Sequence, residues 1–277
     1  MSVPLVHFDP PAGYALGVEL YPGPELRRRG ASKPAVIERL DFHVLLYLTR
    51  GGYRHMVDFE TVHAKAGSAV LVQPGRVHRF GDLRRFHGWF LIFRSESLPP
   101  SLGRAELPAH TLLPPSDRPA VRETLERMAA DARGVPTPTL GAILDSQVQT
   151  LLLRLAAAAP APAAPVERTV LERYQRFRAL VDREHHRWHT VRRYAKTLGC
   201  SDKSLHRATR EVVGMSAKEV VTSRLVLEAK RRLAHSTTPV ANLSDDLGFS
   251  EPTNFVKFFR RETGVTPGTF RRSQQVR

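Results

Sequence analysis

The chain has 277 residues, 42% of them apolar, enough to bury a sizeable core and of a length that fits one large domain or two ordinary ones. Its net charge of +15 is unevenly spread: Lys and Arg outnumber Asp and Glu 23 to 11 over residues 168–277, so the remainder is close to neutral. One cysteine, Cys200, excludes an intrachain disulfide and, with no Cys/His neighbours at short spacing, a zinc site; no run reaches about 18 apolar residues and MSVPLVHFDPP is no secretory leader, so a cytoplasmic protein is expected.

Residues 36–93 read as β. Phe42–Leu48, Tyr53–Phe59, Ala69–Gln73 and Trp89–Phe93 are short apolar or alternating runs, punctuated by GG, AGS, QPG and GD. Short strands at this spacing point to a small barrel or sandwich. After a Pro-rich stretch around residues 99–115 the period becomes helical. Ser116 or Asp117 can cap a helix carrying Val121, Leu125 and Met128, and Thr139 one carrying Leu140, Ile143, Leu144, Val148, Leu151, Leu152 and Leu155. The second stripe is wide enough to pack on the β-domain, to self-associate, or both. AAAAPAPAAPVE, residues 156–167, has the composition of an interdomain linker.

Beyond it every pattern is helical. Val170–Glu184 carries Tyr174, Phe177, Leu180 and Val181 on one side. Then a unit occurs twice. In the first copy Thr190 caps VRRYAKTLG with the small Ala195, Gly199 makes a tight turn, Ser201 is a fresh cap, and DKSLHRATREVVG closes at Gly214. The second copy has Thr238 and Pro239, the small Ser244, Gly248, Ser250 as cap, and EPTNFVKFFRRETG closing at Gly264. Small residue, Gly turn, cap and basic amphipathic helix describe a helix-turn-helix. Leu198 and Leu247 lie 49 positions apart but Leu205 and Phe255 lie 50 apart, so the second turn holds one extra residue.

Between the copies SAKEVVTSRLVLEAKRRLAH places Val220, Leu225, Leu227 and Leu233 on a helical period. Twenty such residues span roughly 30 Å, near the roughly 34 Å between successive major-groove faces on one side of B-DNA. In the first recognition helix Leu205 and Val212 should face inward, leaving Lys203, Ser204, His206, Arg207 and Arg210 for DNA; in the second Phe255, Phe258 and Phe259 should be core, leaving Thr253, Asn254, Lys257, Arg260 and Arg261. Arg and Asn near the N-terminal half can read base edges, and the later Arg residues grip phosphate.

The stretch from WHTVRRYAKTLGCSDKSLHRATREVVG to GFSEPTNFVKFFRRETGVTPGTFR strongly resembles the DNA-binding domain of AraC-type (AraC/XylS) bacterial transcription regulators. The resemblance implies base contacts by Lys203, His206, Arg207, Thr253, Asn254 and Lys257. Three positions depart from the pattern: Thr209 where a large aromatic is usual, Ser244 where Ala is usual, and Pro252 early in the second recognition helix. More loosely, residues 36–93 look like the cupin-type barrel that commonly precedes this domain, with AGSAVLVQPGRVH ending in His78. Cupin metal sites need a His-x-His pair and a nearby Glu; here His43 is followed two residues on by Leu45, so no metal and no cofactor are expected. On strand alternation His43, Leu45 and Tyr47 share one face, and this mixed face is the better pocket lining. It makes His43, Tyr47 and His78 effector candidates, with His55 or Trp89 beside them.

The expected architecture is α+β in two domains: residues 1–155, a cupin-like sensing and dimerisation barrel with a helical hairpin, and residues 168–277, an all-α domain with two helix-turn-helix units on a linker helix. The expected partners are double-stranded DNA, a small-molecule effector, a second copy of the chain and RNA polymerase, with no membrane and no enzymatic activity. Two other readings remain: a metal-dependent cupin enzyme fused to a DNA-targeting module, and a regulator without a small-molecule ligand.

Overall fold

The structure is a computed structural model that describes residues 5–10, 16–28, 37–99, 102, 107–159 and 167–275. They fall into two compact units, Pro4–Pro160 and Ala161–Arg277.

The first unit contains β1 (Leu5–Val6), β2 (Val18–Pro22), α1 (Gly23–Arg28), β3 (Glu38–Leu40), β4 (His43–Leu48), β5 (Gly52–Val57), β6 (Glu60–Lys65), β7 (Ser68–Val72), β8 (Val77–Arg79), β9 (Gly88–Phe93), β10 (His110–Leu112), α2 (Arg118–Asp131) and α3 (Pro138–Ala158). Two five-stranded sheets form, ordered β1-β3-β8-β5-β6 and β10-β7-β4-β9-β2. At the centre of the second, β4 pairs antiparallel with β7 and β9, setting Leu45 beside Leu71 and Leu91. All six of its residues are buried because both faces are covered. Val44, Leu46 and Leu48 pack between the sheets with Tyr53, Val57, Phe86 and Phe90. Leu45 and Tyr47 pack on the other face under Val121, Leu125, Met128, Leu144, Val148 and Leu151 of the two helices.

Each expected strand is present, but the run from Tyr53 stops at Val57. Asp58 and Phe59 have φ of +50° and +71° and form a two-residue hairpin turn between β5 and β6. The cap of α3 is Thr137, whose Oγ1 accepts from the Leu140 amide at 3.1 Å, and not Thr139, because Pro138 takes the first helical position. α3 continues to Ala158, so the expected linker begins late; alanine is the best helix former and the first proline after it is Pro160. Residues 160–166 of that linker lie outside the described residues.

The second unit is helical: α4 (Arg168–Glu184), α5 (Val191–Thr197), α6 (Asp202–Val213), α7 (Ala217–His235), α8 (Val240–Asp246), α9 (Pro252–Thr263) and α10 (Pro267–Gln275). α7 opens with a reciprocal capping box, Ser216 with Glu219, and its 19 residues make a strut of roughly 28 Å. Val220 and Val221 pack with Phe177, Tyr194 and Leu205, and Leu225, Ala229 and Leu233 are buried further along. Leu227, expected inside, is half-buried.

Candidate nucleic-acid interface and effector region

α6 begins at Ser201, whose Oγ accepts from the Ser204 amide at 3.1 Å, and buries Leu205, Ala208 and Thr209. The expected inward residue Val212 is only half-buried. Lys203, His206, Arg207 and Arg210 are exposed and Ser204 half-exposed. Arg207 lies 3.7 Å from Glu211. Arg210 donates from Nη1 to the Gly214 carbonyl at 2.9 Å and so also closes its own helix.

In the second unit the cap is Glu251, not Ser250; the extra turn residue moves the helix start one position on, and Pro252 occupies the first turn, where a missing N–H costs nothing. The Glu251 side chain makes no cap bond to the backbone and instead accepts from the Thr253 hydroxyl at 3.2 Å. Likewise α8 begins at Val240 with Pro239 as its flanking residue, so Thr238 is not its cap. Phe255 and Phe259 are fully buried in α9, while Phe258 is half-buried against Phe249 with the Arg261 guanidinium 5.7 Å over its ring. Thr253, Asn254, Lys257, Arg260 and Arg261 are exposed. Each recognition helix therefore keeps an apolar face inside and the ten expected DNA contacts on its solvent side or at its cap.

The core behind the two helices is built differently. Thr209 is completely buried and its hydroxyl donates to the His206 carbonyl at 3.0 Å. The aromatic in this core is Tyr194 of α5, edge-on to Phe177 at 5.5 Å, with its hydroxyl donating to the Trp188 carbonyl at 2.8 Å. In the second unit the corresponding pair is Leu243 and Phe259, and the aromatic comes from the recognition helix, packed on Phe255 and Phe270.

Strand pairing separates the effector candidates. His43 and Tyr47 lie on the face of β4 turned to the helices, where His43 stacks on Phe93 at 4.8 Å and its Nε2 is 3.3 Å from Ser95 Oγ. Trp89 packs on that same side. Burial pushes the His43 imidazole down to about 4 against the opposing charge of Glu96, and burial raises the Tyr47 phenol. His78 instead lies in the other sheet beside Phe80, its ring 5.4 Å from that of His55. Neither ring nitrogen of either histidine has a hydrogen-bond partner among the described residues. Burial holds His78 near 4, and burial plus the neighbouring His78 holds His55 near 3, so both are neutral. The Glu38 carboxylate, directly across the β3–β8 pairing, comes within 3.5 Å of His78 Nε2, and burial raises its affinity for a proton. Glu38 was invisible to sequence reasoning because only the register places it there. Among the described residues no three His, Cys, Asp or Glu side chains converge as a metal site. A groove of about 770 Å³ opens beside β5 and β6, lined by Arg54, His63, Lys65, Asp82 and Arg85, and contains none of the expected effector residues.

A β-domain packed under two helices, and a helical unit carrying two basic helix-turn-helices, define a two-domain DNA-binding protein as the class. Residues 37–168 match the model of the AraC-like ligand-binding domain and residues 194–273 that of a helix-turn-helix domain. The chain therefore pairs an AraC-like ligand-binding domain with a helix-turn-helix domain. It is 29% identical over 79 residues to the HTH-type transcriptional activator RhaR of Escherichia coli K12 and equally to that of Shigella flexneri serotype 5b, a match spanning 28% of this chain and 28% of each relative. Among solved structures it is similar to ToxT from Vibrio cholerae O395, at 12% identity over 86% of this chain and 92% of that one with a TM-score of 0.44. It is also similar to the C-terminal domain of AraT, a response regulator from Geobacillus stearothermophilus, at 20% identity over 40% and 88% with a TM-score of 0.35.

Proposed function

We propose that the protein is a sequence-specific transcription regulator that binds a bipartite operator, placing α6 and α9 in successive major grooves, under control of a small molecule held by the N-terminal domain. The observation that carries this reading is the pair of recognition helices with exposed basic faces, each anchored by buried residues and joined through a strut whose roughly 28 Å approaches one turn of DNA. Lys203, His206, Arg207, Thr253, Asn254 and Lys257 read bases; Arg260 and Arg261 grip phosphate. Fragments retained by the full chain from its own genome, then footprinted, test this: protection of about two consecutive turns along one side of the duplex supports it, and a single short footprint or none overturns it.

The effector site is assigned to the β1-β3-β8-β5-β6 sheet around His55 and His78, with Glu38 beside them, because buried ring nitrogens without hydrogen-bond partners are costly unless a ligand satisfies them. His43 and Tyr47 are assigned to coupling between β4 and the helices. A metabolite screen by thermal shift reads this directly, since a ligand at 100 times its Kd adds about 2.7 kcal/mol. If no metabolite shifts the unfolding temperature, a regulator answering only to a protein partner is the better reading; stoichiometric metal in the purified protein would favour the cupin enzyme.

The outer face of α3 supports a homodimer. Ile143 and Leu153 are 45% and 43% exposed, and Thr139, Ser146 and Thr150 lie with Ile143 along a shallow groove of about 400 Å³. Small residues at helical spacing let a second copy of the helix approach closely. Ile143→Glu should convert a dimer into a monomer by light scattering. RNA polymerase is the partner that transcriptional activation requires.

A further inference from the structure

The two glycines that make the helix-turn-helix turns do different work. At Gly199 (φ +65°) a Cβ would meet nothing within 4 Å, whereas at Gly248 (φ +76°) it would lie 2.4 Å from the His186 carbonyl oxygen. The second turn is therefore seated against the segment between α4 and α5, which leads directly into the first helix-turn-helix. His189 completes the seat. Its Nε2–H donates to the Leu247 carbonyl at 2.8 Å, and its ring packs on Phe249 of the second turn at 4.7 Å. On the strut, a chain of ion pairs runs the same way: Asp182 of α4 to Arg224 at 3.0 Å, Arg224 to Glu228 at 3.2 Å, Glu228 to Arg232 at 3.0 Å, and Arg232 to Asp246 of α8 at 3.2 Å.

We propose that this seam, with His189 and Gly248 at its centre, positions the two recognition helices relative to each other and thereby selects the spacing between the operator half-sites. The inference rests on the bipartite reading above. Its physics is that of two linked binding elements: the second engages at high effective concentration only if the separation between the elements matches that of their targets, and stiffness sharpens the match. A strut alone fixes the ends of α7; it leaves each helix-turn-helix able to rock on it. The seat on His186 and the His189 bond remove that freedom without touching DNA, so these are positioning residues and not contacts.

The test uses the full chain and a duplex selected by that chain, with one and two base pairs then inserted between the half-sites. Wild type should lose roughly tenfold or more in affinity per inserted pair, since each insertion both lengthens the site and turns the second half-site away. His189→Ala and Gly248→Ala should bind the parent duplex more weakly yet lose less than about threefold on insertion, while binding to a duplex with one half-site scrambled stays unchanged. His189→Gln, which keeps a donor for the Leu247 carbonyl, should restore the spacing preference. If His189→Ala and wild type decline in parallel with insertion, or if wild type itself tolerates the insertions, the proposal is overturned. A second measurement needs no DNA: spin labels at Glu211→Cys and Glu262→Cys, in a Cys200→Ser background, should give a narrow distance distribution that broadens in His189→Ala. A narrow distribution in both overturns the seam, whereas a broadened one with no footprint overturns only the operator reading.

Discussion

At the scale of single residues, the departures from the family pattern turn out to be paired. Thr209 stands where a large aromatic is usual and is buried like Tyr194 of α5, and the second unit carries the corresponding two positions with sizes exchanged, Leu243 and Phe259. Tyr194→Leu should thus cost about 1–3 kcal/mol, from a cavity and the lost bond to the Trp188 carbonyl, and Thr209→Phe alone about as much from overpacking. If the two side chains share one space, the double variant should fall well short of the sum, and a double-mutant cycle by urea denaturation measures the difference. The buried histidines of the β-domain make a second residue-scale prediction. His43, His55 and His78 have folded values pushed down to about 4, 3 and 4 from 6.5, so the unfolded chain binds the extra protons between those limits. Their contribution is whole above pH 6.5 and declines as pH falls towards 4, by up to about 1.4 kcal/mol per pH unit for each histidine. Glu38, whose affinity for a proton is raised, opposes this over a narrower range above its usual value. Denaturation midpoints at pH 7 and 5.5 should therefore fall for wild type and fall less for His55→Phe.

At the scale of elements, legibility followed periodicity. α6, α7 and α9 were readable because their apolar residues recur every three or four positions and glycines close both recognition helices. β4 was readable as an apolar run, and its two faces are grouped as alternation expects, Leu45 and Tyr47 on one and Val44, Leu46 and Leu48 on the other; but alternation shows which residues share a face, and not which face looks at a helix and which at a second sheet. Consequently His78, His55 and Glu38 could be grouped only after the register of β3, β5 and β8 was known. The strands β2, β6 and β10 escaped notice because they are short, polar on one side or set among prolines, and tertiary pairing, not propensity, makes them strands. The hairpin between β5 and β6 shows the same override. A two-residue turn with both φ positive ordinarily calls for Asn-Gly, and here Asp58 and Phe59 accept the strain, helped by the Val77 amide donating to Asp58 Oδ1 at 3.1 Å. Phe59→Gly should relieve a left-handed conformation that costs a bulky residue about 1 kcal/mol, raising the urea midpoint of the β-domain; an unchanged or lowered midpoint would mean that the phenyl ring contributes more by packing.

At the scale of the whole molecule, charge is partitioned by task. Residues 168–277 carry 23 Lys/Arg against 11 Asp/Glu, and many of those acids are already engaged within the unit, Asp182, Glu228 and Asp246 along α7 and Glu211, Glu219 and Glu262 beside recognition-helix arginines. These pairs cancel charge for charge, so the excess of 12 cations over the unit is untouched by them, and Lys203, Lys257 and Arg260 of the helices assigned to DNA have no acidic partner among the described residues. Such a surface binds any duplex by releasing counterions, so affinity must fall linearly with the logarithm of salt, and only residues at base edges distinguish one duplex from another. This divides the exposed cations of α9 by measurement. Arg260, near the C-terminal end of the helix, should on replacement by Ala weaken binding to selected and random duplexes alike and reduce the salt slope by about 1. Lys257, about one turn earlier, should on replacement cost about 1–3 kcal/mol on the selected duplex and much less on a random one, with preference relaxed at one position of the half-site. Titrations at four salt concentrations on both duplexes separate the outcomes. Equal losses on both duplexes for both variants would place Lys257 on phosphate, shifting base recognition towards Thr253 and Asn254 at the start of the helix.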